Sequence, residues 1–136
     1  MSFPQPVLLE CILAIGKNKM ESKAIARYIH QSPFKLRRTL DSVRGMNVDE
    51  ALSYLHFSPE KAATVIEKTI RSAVSNLIND KEGTDIDQDS LTLKEAYVDG
   101  GPVMKRFRAA SMGRASRLRR PTSHLTVVIK SKKKRI

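Results

Sequence analysis

The chain has 136 residues, no Trp, 5% aromatic residues and a formal net charge of +11. That length supports one small domain with a modest core and is short for an enzyme with an elaborate site. The excess charge argues for a polyanionic partner and says nothing about fold.

The charge is unevenly distributed. Residues 1–103 carry 13 Lys and Arg against 14 Asp and Glu, whereas residues 104–136 carry 12 basic residues and no acidic one. A disordered basic tail would not contain "SHLTVVI", a β-branched apolar run that needs burial or pairing. The single Cys11 excludes an intrachain disulfide framework and a CxxC metal site. The apolar run at residues 6–16 is too short to span a bilayer and has no basic residue before it, so the chain reads as cytosolic.

In chain order, Ser32 and Pro33 predict a capped helix start. Leu36, Leu40 and Val43 follow at helical spacing, and Gly45 supplies a left-handed stop. Lys35, Arg37, Arg38 and Arg44 fall on the other faces of this helix. A short second helix follows, with Asn47 and Glu50 spaced as a capping box. A second Ser-Pro pair, Ser58-Pro59, predicts the start of the main core helix. Its apolar stripe runs through Ala62, Ala63, Ile66, Ile70, Ala73 and Leu77, with Glu67 and Arg71 as an exposed i,i+4 pair. Residues 80–90 are acidic and turn-rich, which predicts a loop; they lack the glycine and terminal glutamate of an EF-hand, so no metal is expected there.

From Leu91 the period changes to that of a strand. Leu91, Leu93 and Tyr97 are predicted on one face, and Ala96 and Val98 on the other. A second strand alternates through Leu125, Val127 and Ile129. Folding the chain at its weakest β stretch, residues 109–113, gives two arms of about 17 residues, on the order of 55 Å each if fully extended. A domain of this size has a radius of gyration of only about 14 Å, so the distal part must protrude. That part carries Lys105, Arg106, Arg108, Arg114, Arg117, Arg119 and Arg120. Guanidinium groups suit phosphate because they donate bidentate bonds and remain charged. The small residues Ala109, Ala110, Ser111, Gly113 and Ala115 allow close backbone approach, which favours a cleft between RNA segments over a DNA groove. His30, His56 and His124 are scattered, and no catalytic constellation emerges. A hydrogen-bonding role for His124 is favoured over a catalytic one.

Four segments, "ESKAIARYIHQSPFKLRR", "VRGMNVDEALSYLHFSPEKAATVIEKTIRSAVSN", "LTLKEAYVDGGPVMKRFR" and "GRASRLRRPTSHLTVV", in this order and spacing, resemble the bacterial large-subunit ribosomal protein family twenty-two over residues 20–130. The most specific element is Gly113-Arg114 followed by His124-Leu125 and alternating aliphatics, together with the Ser-Pro-x-Lys helix start.

The resemblance implies an α+β fold: three helices packed on a small antiparallel sheet, with one long protruding β-hairpin. It divides the chain into an extension (1–19), a globular RNA-binding domain (20–103 with 123–130), a distal hairpin (104–122) and a basic tail (131–136). It implies a structural constituent of the large subunit that binds its RNA, supports assembly and lines the polypeptide exit tunnel. It also implies neighbouring ribosomal proteins and the nascent chain as partners, with no cofactor, metal, membrane or homo-oligomer. The implied RNA-binding set is Lys35, Arg37, Arg38, Lys105, Arg106, Arg108, Arg114, Arg117, Arg119, Arg120, Thr122, Ser123, His124 and Lys130. The implied tunnel-facing tip is Met104, Lys105, Arg106, Ala109, Ala110, Ser111 and Met112, in a segment linked in the family to macrolide response.

The chain departs from the family pattern at Phe34, where Arg is common, at residues 109–113, where two tip cations are missing, and at Pro121, where a basic residue is usual. Pro121 cannot donate to a ladder and predicts a break in the return strand. The competing readings are a free-standing nucleic-acid-binding module, which leaves the hairpin arms unexplained, and an RNA-modifying enzyme, which lacks its catalytic groups.

Overall fold

The computed structural model describes residues 21–79 and 90–131. The expectations for residues 1–19, the acidic residues 80–89 and the tail beyond Ser131 lie outside the described residues. The element order is β1 (Glu21–Ile29), α1 (Pro33–Val43), α2 (Val48–Phe57), α3 (Lys61–Asn79), β2 (Leu91–Gly100), β3 (Met104–Ala109), β4 (Ala115–Arg120) and β5 (Ser123–Ser131). The predicted α+β architecture, three helices on a small antiparallel sheet with a hairpin, is the one observed.

The core sheet has the order β1-β5-β2, with both pairings antiparallel. Its central strand supplies Leu125, Val127 and Ile129, each completely buried. Ladder register sets Ala26 and Val98 on either side of Leu125, Ala24 and Ala96 beside Val127, and Ser22 and Leu93 beside Ile129. The helices add Leu36, Leu40, Val43, Leu55, Ile66, Ile70 and Leu77 to this core. Burying an aliphatic side chain of this size stabilises the fold by roughly 1.5–3 kcal/mol, the dominant favourable term here.

Strand β1 escaped the sequence reading because its inward positions are small. Ser22 and Ala24 are buried and Ala26 is partly buried, whereas the larger Ile25 faces outward. Small inward residues let α3 lie close to this edge strand, where Asn76 Nδ2 donates to the Lys23 carbonyl at 3.3 Å.

The face assignment along β2 needs a correction. Leu91, Leu93, Ala96 and Val98 all face the core and Tyr97 is exposed. A register shift between Leu93 and Glu95 inserts one residue, so the inward positions move from odd to even numbers. A bulge of this kind reverses every later side chain, which strict alternation cannot anticipate.

Helix α1 starts as expected: Ser32 Oγ accepts the Lys35 N–H at 3.4 Å, Pro33 occupies the first turn, and Gly45 has φ +80°. The other two helix starts differ from expectation. Asn47 makes no side-chain cap; its carbonyl accepts from Ala51 N–H at 2.9 Å, and it bridges to Thr92 of β2 instead of forming a capping box. Ser58 terminates α2, its N–H donating to the Leu55 carbonyl, and α3 begins only at Lys61. The Glu67–Arg71 pair forms at 2.6 Å, with Glu67 mostly covered rather than exposed.

Candidate nucleic-acid interface

The two arms form two ladders in succession. Strands β2 and β5 pair as far as Gly100 and Ser123, and a second ladder runs from Met104–Arg120 to Ala109–Ala115. Between them Pro121 and Thr122 lie opposite residues 101–103, outside both strands. Pro121 has no N–H to offer a ladder, which accounts for the break at this point.

The joint is nevertheless tied together. Gly101 N–H donates to the Thr122 carbonyl at 2.8 Å, and Thr122 Oγ1 donates to the Pro102 carbonyl at 2.7 Å. A Cβ at Gly101 would lie 2.5 Å from Thr122 Oγ1, so the close approach requires glycine.

Strands β3 and β4 pair only with each other, and almost every residue in them is exposed. Alternation places Lys105, Phe107, Arg117 and Arg119 on one face, and Arg106, Arg108, Leu118 and Arg120 on the other. Lys105 and Arg119 are direct cross-strand partners, a like-charge pair that weakens an isolated ribbon. Among the described residues none of the seven hairpin cations forms an ion pair. The ribbon is therefore cationic on both faces, a geometry for insertion between anionic surfaces. The turn over Ser111–Gly113 uses two successive positive φ values, +57° at Met112 and +71° at Gly113, and Ala110 N–H closes it onto the Arg114 carbonyl at 2.8 Å. Met112 at its apex is almost fully exposed.

The remaining candidates divide by what they touch. Lys35 is exposed in the first turn of α1, and Lys130 is exposed near the end of β5. Arg37 instead bonds β2, with Nε 3.1 Å and Nη2 2.7 Å from the Val98 carbonyl. Arg38 pairs with Glu60 at 2.7 Å. A hydrogen bond from Thr39 Oγ1, reinforced by Arg38, holds the Glu60 carboxyl below its ordinary pKa.

Two expectations are corrected. Thr122 and Ser123 are buried and their hydroxyls are used internally, Ser123 Oγ donating to the Gln31 carbonyl at 2.6 Å, so their side chains cannot present to RNA. Met104, Lys105 and Arg106 are not near the tip: they pair with Arg120, Arg119 and Leu118 at the core-proximal end. The apex consists of Ala110 through Arg114.

His124 has a structural partner. An extra residue in β1 between Ala26 and Ile29 puts Tyr28 at φ +57°, its N–H donating to His124 Nδ1 at 3.1 Å. The two rings meet edge to face at 4.8 Å. A bulky residue in this region stores about 1–3 kcal/mol, offset by those contacts. Sequence reading missed Tyr28 because a bulge leaves no periodic signal.

Sequence reading also missed Lys61. It lines a cleft of about 620 Å³ between the starts of α1 and α3 and the base of the hairpin, together with Lys35, Arg38, Arg119 and Arg120. Among the described residues there is no group of three metal-ligating side chains, and no helix is long and apolar enough to cross a membrane.

The described residues form an α+β domain that projects a two-faced cationic ribbon, an arrangement suited to a polyanion, and no catalytic cluster is found among them. Comparison with known proteins specifies the family. The family model for ribosomal protein L22p/L17e matches residues 24–130. The chain is 45% identical over 113 residues to the large ribosomal subunit protein uL22 of Chloroflexus aggregans, covering 83% of this chain and 97% of that protein. It is 46% identical over 113 residues to the protein of the same name from Desulfitobacterium hafniense, covering 83% and 96%. For the Pelotomaculum thermopropionicum protein of that name the identity is 45% over 114 residues, covering 84% and 98%. The chain belongs to the L22p/L17e family of ribosomal proteins, a structural family and not an enzyme family.

Proposed function

We propose that the protein is a structural constituent of the large ribosomal subunit in the cytoplasm, where it binds large-subunit ribosomal RNA and supports assembly. Its β3–β4 hairpin lines the polypeptide exit tunnel, with neighbouring large-subunit proteins and the nascent chain as further partners. The observation that carries this reading is the hairpin itself. Seven cations stand on a ribbon that pairs with nothing else in the chain, has no carboxylate partner among the described residues, and bears charge on both faces. Such a ribbon is marginal in water and gains order when phosphates neutralise it. Its apex, with small residues and the exposed Met112, is narrow and offers an apolar contact to a passing chain.

Two experiments test the reading. The protein is expected to sediment with the large subunit at moderate salt and to be released by ribonuclease; failure to travel with the subunit contradicts it. A photo-crosslinker replacing Met112 is expected to capture a stalled nascent chain. Capture from Met112 but not from an exposed position on α3 supports tunnel lining, and no capture in subunits that contain the protein refutes it.

A further inference from the structure

The cleft at the root of the hairpin has walls on two bodies. One is the globular domain, through the first turns of α1 and α3; the other is the β3–β4 ladder, through Arg119 and Arg120. The bodies are joined by residues 101–103 and by Pro121 and Thr122. Lys35, Arg38, Lys61 and the consecutive Arg119 and Arg120, whose side chains leave opposite faces of the ribbon, border the cleft, against one carboxylate, Glu60. That carboxylate is already engaged, one oxygen by Arg38 at 2.7 Å and the other by Thr39 Oγ1. Among the described residues Lys35, Lys61, Arg119 and Arg120 have no ionic partner. Exposed cations gathered around a concave space repel one another and raise the local concentration of anions. Neither α1 nor α3 has an acidic residue within its first turn, and the carboxylate directly before α3 is Glu60, engaged as described.

We propose that this cleft is a binding site for a phosphodiester group of ribosomal RNA, held between Lys61 of the domain and Arg120 of the hairpin, and that this one phosphate clamps the hairpin at a fixed angle. The proposal rests on the ribosomal RNA reading above and adds where the two bodies are locked. A phosphate suits the site because several donors on separate walls can share its oxygens, whereas a single carboxylate has fewer acceptor directions. It also gives the joint a function: the ladder is interrupted at Pro121 and tied there by the Gly101–Thr122 and Thr122–Pro102 hydrogen bonds, so a bridging anion adds a further tie between domain and hairpin.

The test uses the full chain and large-subunit ribosomal RNA. Lys61→Gln and Arg120→Gln are each expected to weaken binding about tenfold and to lower the log–log salt slope by roughly 0.7–0.9, the value of one phosphate contact. Because both grip the same phosphate, the double variant is expected to lose about as much as either single variant, not the product. Lys68→Gln, on α3 but outside the cleft, is the control and is expected to bind like the parent. Spin labels at Ser72 and Ser111, with Cys11→Ser, report the hairpin angle: RNA should narrow the distance distribution in the parent and leave it broad in the double variant.

Multiplicative losses, or unchanged affinity and a narrow distribution in the double variant, overturn the shared site while leaving RNA binding intact. Narrowing by inorganic phosphate alone, against chloride at matched ionic strength, reassigns the cleft to a free anion and overturns the RNA assignment. A parent chain that does not bind the RNA defeats the broader reading and this one with it.

Discussion

Arg37 on α1 donates both its Nε and an Nη to the carbonyl of Val98 on β2. Two residues earlier in β2, the Ala96 carbonyl accepts from Arg44 Nη2 at 2.9 Å. Strand β2 is an edge of the core sheet, and these carbonyls lie along its open side. Leu93 N–H continues the row by donating to the Met46 carbonyl at 3.1 Å. Arg37 of α1 and Arg44, which follows its last turn, thus cover a sheet edge that would otherwise invite pairing with another chain. Their first role is internal, and the cations without a carboxylate partner among the described residues are concentrated on the hairpin.

Arg37→Ala is therefore expected to act on stability. Loss of a charge-assisted pair of bonds to a part-buried carbonyl costs about 1–2 kcal/mol, with the Val98 carbonyl left exposed at an edge. Urea denaturation of the free protein reads this directly. Arg37→Lys should recover only part of the loss, because an ammonium cannot reproduce the two-pronged geometry.

Gly101→Ala tests the joint. The added methyl meets the Thr122 hydroxyl, which is buried and already donating to Pro102, and the Thr122 backbone lies only 3.2 Å away. Overpacking of this kind costs roughly 1–3 kcal/mol. The variant should unfold at lower urea, and its amides at positions 100–103 and 122–124 should lose hydrogen-exchange protection before those of α3.

Two ionisable contacts make the stability of the domain depend on pH. Glu60 titrates below its ordinary value because of Thr39 and then Arg38, so its contribution is present above the unfolded-state pKa and is lost as pH falls through the lower folded value. Glu60→Gln should be less stable than the parent at neutral pH, and the two should converge in acid. Lys94 behaves in the opposite sense. Its hydrogen bond to Glu21 raises its pKa, so its contribution is complete below the unfolded value and disappears as pH rises through the higher folded one. Lys94→Met should differ from the parent at neutral pH and match it in strong alkali. Thermal melts across pH check both.

Much of this architecture could be read from the sequence, and the exceptions share a cause. The apolar stripes of α1 and α3, the Ser32 cap and the alternation of β5 are periodic signals, and each was legible. The sign change in charge after residue 103 marked the hairpin, and Pro121 marked its break. What stayed hidden was aperiodic or long-range. Strand β1 has small inward residues with little hydrophobic signal, and single-residue bulges reversed the faces of β2 and placed Tyr28 on His124. The cations were visible as residues, but not which of them a folded neighbour would occupy. Only the tertiary structure separates Arg37, bound to Val98, from Arg120, which has no carboxylate partner among the described residues. Lys61 gained meaning only when α3 brought it beside the hairpin root.

The central claim is that the hairpin's charge serves another molecule and not the fold. Its most direct measurement is the salt dependence of binding to large-subunit ribosomal RNA by Arg114→Ala, Arg117→Ala, Arg120→Ala in one chain, compared with the parent. All three arginines are exposed and outside the core, so the unfolding midpoint should be nearly unchanged. The log–log slope should fall by about 2–3, at roughly 0.7–0.9 per phosphate contact. An unchanged slope with a normally folded domain would contradict the account.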